Sequence, residues 1–537
     1  MIMASSFAKR NIFKIKKKRS ILTFEMGQLV PVWKKEVYPG DTMNITFDYM
    51  ARLAAMLAPA YDMIDAYLWS FFVPYRTVWD DFEEFITGYN IRTKQESTAV
   101  FPYITVPTSS SAFQTVGSLP DYLSFPVKNT LTNSVKVSAL PYRVYAKIFN
   151  DWFLNEYIQN EITYSTASGA DTTTSTALLN KTWPRDYFTS ALPFTQVGNP
   201  VTLPIFANAN IPINVYGTGK QFGLTDTTAS TVFGLTGGNN TETYFAAFNG
   251  NNIATTGATK VTAATNNIVG VSPDSTKSGL TGSVNLYTQT TLTVEEVRQA
   301  FQLQRMKWRA AQTGSRMVEY IAGVFGVRSP DMRLQRAEFL GGSKSPILVS
   351  EIIQTSESSA TSPQGNMAGH GFGANATPRI KKSFTEHGLV MTIMCVMPRA
   401  TYSQGLPRHD MGERTRYDFL QPEFAHLGEQ PIYQSEIYLT GTSADGQAFG
   451  YQPRYEDFRR EISEVHGDFR DNMSYWYFGR TFANAPALNS TFLSAVPSKT
   501  PFAAGNQATR PVWVEFAPHG TMIRPLPRHG QAGLIDH

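Results

Sequence analysis

Apolar positions along this chain recur mostly with a period of two or in short unbroken runs. Residues 67–73, 389–397, 431–439 and 511–516 are rich in aromatic and branched side chains and are bounded by turn residues, which predicts β-strands. Long connections bearing Gly, Pro and Asn separate these runs. The pattern therefore predicts a β-sandwich or jelly roll, not alternating strand and helix units.

Three segments depart from it. Thr293 and Glu296 form a capping box, and Val297, Phe301 and Trp308 follow at helical spacing until Gly314. A second helix is predicted from Pro141 towards Ile158, with Val144, Ile148 and Trp152 on one stripe and Tyr145, Phe149 and Phe153 beside it. A shorter one over 78–87 places Trp79, Phe82 and Phe85 inward and Asp80, Asp81, Glu83 and Glu84 mostly outward, with Gly88 as its stop.

From about 161 to 285 the composition shifts to Thr, Ser, Gly, Asn and Ala with few charges, and turn signals such as Gly237-Gly238-Asn239-Asn240 recur. Scattered aromatics such as Phe233, Tyr244 and Phe245 predict an ordered surface insertion with weak strands; a disordered linker would carry fewer.

At 537 residues the length alone suggests roughly three or four domains, unless one architecture carries long insertions, and the pattern favours insertions. Charged residues make up 17%, against a typical ~25%, and aromatics 13%. So little charge predicts that much of the exterior is covered by other chains. The single cysteine, Cys395, rules out an internal disulfide and lies in the apolar run 389–397, as a buried structural thiol would. That run is far shorter than the ~20 residues that cross a bilayer, so no membrane insertion is expected. The basic start is followed by Thr23, Glu25, Gln28 and Pro31 where a secretory signal needs an unbroken apolar core.

Candidate chemistry is sparse. No two of the eight histidines stand at i, i+4 on a predicted helix, which leaves no metal signature. Gly369-His370-Gly371-Phe372-Gly373 lacks the dinucleotide-binding spacing and reads as a loop, and Gly342-Ser343-Lys344-Ser345 leads into Pro346 instead of a helix. The acidic group at 80–84 points to water or to another subunit, with no opposed carboxylate pair. No nucleophile elbow occurs. Neither catalysis nor a cofactor is predicted.

Charge placement is more informative. Lys9, Arg10, Lys14, Lys16, Lys17, Lys18 and Arg19 precede the first acid, Glu25, leaving 40 basic against 43 acidic groups in the remainder. A basic arm, residues 1–25, on a near-neutral body, residues 26–537, suits a polyanion such as nucleic acid, since phosphate neutralisation needs no shaped pocket. A solvated tail that maintains solubility fits the same charges. An anionic membrane surface fits less well, because Phe7, Ile12, Phe13 and Ile15 offer a meagre apolar face.

Several segments in order carry a family resemblance. They are Val37-Tyr38-Pro39-Gly40-Asp41-Thr42; Phe71-Phe72-Val73-Pro74-Tyr75-Arg76 running into Trp79 and Phe85; and Arg333-Leu334-Gln335-Arg336-Ala337-Glu338-Phe339-Leu340-Gly341-Gly342. His426-Leu427-Gly428-Glu429-Gln430, Phe449-Gly450-Tyr451-Gln452 and Gly533-Leu534-Ile535-Asp536-His537 follow. Together they resemble the major capsid proteins of single-stranded-DNA bacteriophages of the microvirus family, the gokushovirus-like branch in particular. The resemblance implies an eight-stranded antiparallel jelly roll with long insertions and a structural role in a T=1 icosahedral capsid. It further implies circular single-stranded DNA, small DNA-binding and pilot proteins and a bacterial surface receptor as partners, in a virion assembled in the host cytoplasm. On this reading the seven cations face the genome, Phe7, Phe13 and Phe24 either stack on bases or pack beneath a neighbouring subunit, and residues 204–285 form a surface protrusion. The reading from another class is a β-rich carbohydrate-binding or glycan-active protein using the Thr/Asn-rich surface.

Overall fold

The computed structural model describes residues 10–15, 19–199, 201, 294–314, 316–353, 367–412, 414–503 and 509–528, with six short strands between 214 and 283. Its chain divides into two compact units, Met1–Asn199 with Met306–His537, and Pro200–Arg305. The compositional shift at 161 therefore does not mark the boundary, because 161–199 belongs to the first unit.

Ten strands build the sheet of the first unit: β1 (Asn11–Ile15), β2 (Ser20–Phe24), β3 (Val30–Val37), β4 (Thr42–Leu53), β5 (Ile64–Pro74), β6 (Glu338–Ile353), β7 (Met367–Ala376), β8 (Ile380–Ser383), β9 (Gly388–Pro398) and β10 (Val512–Arg524). Their order is β1-β10-β4-β7-β6-β5-β9-β3, with β2 also on β10 and β8 on β4, and every pairing is antiparallel. The sheet curls at β6, whose first half pairs β5 while residues 348–353 pair β7. A bulge between Phe339 and Gly341 eases the bend, and Gly341 takes a φ of 150° open to glycine. This mainly β, curled antiparallel architecture is the expected jelly roll.

The long apolar run around Cys395 becomes β9, buried on both faces. Val390, Met394 and Val396 enter the core between the two halves of the sheet, with Phe47, Leu68 and Phe516. Leu389, Met391, Ile393, Cys395 and Met397 enter a second core under a helical layer. Burial pushes the Cys395 thiol up to about 12, consistent with an inert, structural role.

That layer contains α1 (Leu140–Ile148), which ends earlier than its apolar stripes suggest: a π-type turn over Phe149–Phe153 follows, and Leu154 is extended. Arg143 of α1 is fully buried and pairs with fully buried Asp171, Nε to Oδ2 at 2.8 Å. It also donates to the carbonyls of Val78 and Ala167.

Four further expectations need correction. The glycine-dense segment Gly369–Gly373 is not a loop but the middle of β7. Its glycines point into the core, where a Cβ at Gly369 would stand 2.6 Å from the Ala58 carbonyl oxygen, while His370 and Phe372 point outward. Strand 431–439 stops at Tyr433, because the buried Glu436 carboxylate accepts from the Tyr433 N–H and turns Gln434–Ile437 into a helical turn. Trp79 is fully buried as expected, but Phe85 is partly exposed. In α2 (Val294–Thr313) Phe301 is 67% exposed while Val297 and Trp308 are half-buried, so the predicted stripe is covered only in part; Thr293 lies outside the described residues.

Gly369→Ala is expected to cost about 1–3 kcal/mol, since the added methyl meets backbone at Ala58 and Pro59, not a flexible side chain. A lowered urea midpoint at unchanged slope checks it.

In the second unit Asn214–Gly217 pairs Leu280–Ser283, and Phe245–Ala247, Val232–Leu235, Gly223–Asp226 and Val269–Val271 form a four-stranded sheet. No helix among the described residues is long and apolar enough to cross a membrane.

Candidate nucleic-acid interface

The basic segment is tied to the sheet where it is described. β1 pairs Gly520–Arg524 and β2 pairs Val512–Phe516, so both strands use successive halves of β10 as template. Period-two alternation explains this: Ile15, Leu22 and Phe24 turn towards the core, while Ile12, Lys14, Ile21 and Thr23 turn outward.

Of the seven cations, Arg10, Lys14 and Arg19 are described and exposed; Lys9, Lys16, Lys17 and Lys18 lie outside the described residues, as does Phe7. Arg19 Nε lies 2.9 Å from Glu515 Oε1, and the Arg10 guanidinium lies over Gly40, 3.5 Å from where a Cβ would stand. Lys14 makes no ion pair among the described residues. Phe24 is completely buried in this chain's own core, so it neither stacks on bases nor reaches a neighbour; Phe13 is half-buried on β1.

The pairing register places five outward side chains in one row across the sheet. Thr23 opposes Trp513, Trp513 opposes Arg52, Arg52 opposes Phe372, and Phe372 opposes Leu348. All five are exposed: Trp513 at 44%, Phe372 at 42% and Leu348 at 71%. The Arg52 guanidinium lies 5.9 Å from the Phe372 ring centroid. Lys14, Thr521, Asn44 and Lys381 form a parallel row on the same face, with both lysines exposed. Of the carboxylates on this face, Asp48 lies 3.1 Å from His519 Nδ1, and Glu515 is paired with Arg19. Sequence reasoning missed Trp513, Arg52, Phe372 and Lys381 as a group, because only strand register brings them together.

Elsewhere the polar side chains are structural. Asp80 and Asp81 accept hydrogen bonds from Thr166 and Ser168 at 2.6 and 2.7 Å, and Glu83 faces outward, so the acidic group at 80–84 forms no opposed carboxylate pair. Buried Glu436 is held by Tyr187, Arg408 and the Tyr433 N–H; burial raises its carboxyl above the usual range. No group of three or more metal-ligating side chains occurs among the described residues.

Comparison with known proteins places this arrangement. The family model described as "Capsid protein (F protein)" matches residues 2–534. The chain belongs to this capsid protein family. Capsid protein VP1 of Bdellovibrio phage phiMH2K is 34% identical over 528 residues, covering 95% of this chain and 92% of its own. Capsid protein VP1 of Chlamydia phage 1 is 33% identical, covering 95% and 94%, and that of Spiroplasma virus 4 is 27% identical, covering 96% and 94%. The resemblance carried by the short motifs is thereby borne out. As a member of the capsid family this chain is a structural phage protein, not an enzyme, and the glycan-active reading falls.

Proposed function

We propose that copies of this chain close into a T=1 icosahedral shell around circular single-stranded DNA, with the basic N-terminal segment and the outward face of β1 and β2 lining the interior. The observation that carries this reading is the segregation of seven cations before Glu25 on a body with slightly more acids than bases. Low overall charge and exposed apolar side chains such as Tyr61, at 67%, and Phe419, at 56%, support extensive contacts between copies. Small DNA-binding and pilot proteins complete the virion, which assembles in the bacterial cytoplasm. The unit Pro200–Arg305, containing the insertion 204–285, faces the host and meets a bacterial surface receptor.

Because β1 and β2 are sheet strands, charge replacement tests the first part better than deletion. Changing all seven cations to Gln should leave the fold intact and flatten the salt dependence of single-stranded DNA binding. The logarithmic slope should fall by about 0.7 for each cation that meets a phosphate. An unchanged slope and unchanged DNA content per particle would refute the assignment. For the insertion, exchanging 204–285 between relatives should transfer host range; host range that always follows the recipient body refutes its host-facing role.

A further inference from the structure

We propose that the outward face of β10, β4 and β7 is a stacking platform for unpaired nucleobases, with the Trp513 and Phe372 rings as stacking partners and Arg52 between them as phosphate ligand. The proposal rests on the reading that the chain encloses single-stranded DNA, and adds how the bases are met.

Three observations converge on it. First, geometry: Trp513, Arg52 and Phe372 are direct cross-strand neighbours. Strands about 4.8 Å apart put β10 and β7 about 10 Å from each other with β4 between them, and the Arg52 guanidinium lies 5.9 Å from the Phe372 ring centroid. The strands beneath are fixed by buried inward residues, Val512 and Val514 on β10, Ala51 and Leu53 on β4, Gly371 and Gly373 on β7, so the rings stand on a rigid base.

Second, chemistry: large aromatic side chains exposed on a sheet face bind bases of any sequence, because every base has a π-face, and an arginine plane adds a further stacking surface. Third, charge selects the occupant. Lys14, Arg52 and Lys381 share this face without an ion pair among the described residues, whereas Glu515 is paired with Arg19 and Asp48 lies 3.1 Å from His519 Nδ1. A face with three cations outside any ion pair, one of its two carboxylates paired with arginine, and exposed rings complements a flexible polyanion that carries aromatic bases. A second copy of this near-neutral chain would bring no matching excess of negative charge.

The test uses the full-length unassembled protein and an oligodeoxythymidylate carrying 5-iodouracil. Irradiation of the wild-type complex should give adducts on the peptides bearing Trp513 or Phe372. Trp513→Leu combined with Phe372→Leu keeps an apolar surface but removes the π-faces. It should weaken binding about tenfold at fixed salt while leaving the salt slope unchanged. Adducts confined to other peptides, or affinity within twofold of wild type, overturn the platform. So does a variant that binds the oligonucleotide normally but no longer assembles, which would make the row a contact between copies. The wild-type adducts decide the matter even if the double variant misfolds. Absence of any oligonucleotide binding by the wild type sinks the genome-enclosing reading itself, whereas binding that follows the N-terminal cations but not the rings sinks the platform alone.

Discussion

Arg143→Leu is expected to lower the unfolding free energy by about 3–5 kcal/mol, because it leaves the fully buried Asp171 carboxylate without its counter-charge. Burial pushes the Asp171 carboxyl up, but hydrogen bonds from Thr174 and Arg143 outweigh it and leave it below the usual range. A carboxyl depressed in the folded state contributes stability above its unfolded value, near 3.9, and loses it only as pH falls through the folded value. The wild-type pair therefore contributes fully at neutral pH, where the variant is weakest. Urea unfolding followed by tryptophan fluorescence measures the loss. Replacing both partners by leucine should recover part of it, since two apolar side chains leave no buried charge. Recovery stays incomplete because Asp171 also accepts from the Thr173 and Thr174 N–H groups. A shift below about 1 kcal/mol for the single variant would contradict the buried-pair account.

Trp79→Ala is the second large effect, about 3–5 kcal/mol. The indole is fully buried against Phe82, Phe85 and Phe101, with ring centroids 4.8–5.6 Å away. Its Nε1 donates to Ser168 Oγ at 2.8 Å, and Ser168 in turn donates to Asp81. Truncation leaves a cavity and removes the hydrogen bond that ties Ser168 to this turn. Trp79→Phe keeps most of the volume and should lose less than half as much; equal losses would show that the hydrogen bond, not packing, dominates.

Legibility of the fold followed where side chains carry the signal. The run 389–397 announced a strand because both its faces are apolar, and both are buried. β7 did not announce itself, since its inward positions Gly369, Gly371 and Gly373 have no side chain to register as apolar. The spacing of Phe301 within α2 was readable, but its burial was not, because helical period says which face is apolar and not what covers it. The N-terminal cations were plain from charge alone. Their attachment was not, since β10 lies some five hundred residues away in the chain. The Trp513–Arg52–Phe372 row was invisible for the same reason: it exists only in the register of three strands distant in sequence.

That separation has a consequence for biosynthesis. Among the described strands β1 and β2 emerge from the ribosome first, yet β10, the strand with which both pair, is translated last. At about 5–20 residues per second, this leaves two adhesive edge segments unpaired for roughly 25–100 seconds. Mutual repulsion between Lys14 and the six cations that flank the two strands in sequence opposes zippering of nascent chains on one polysome during that interval.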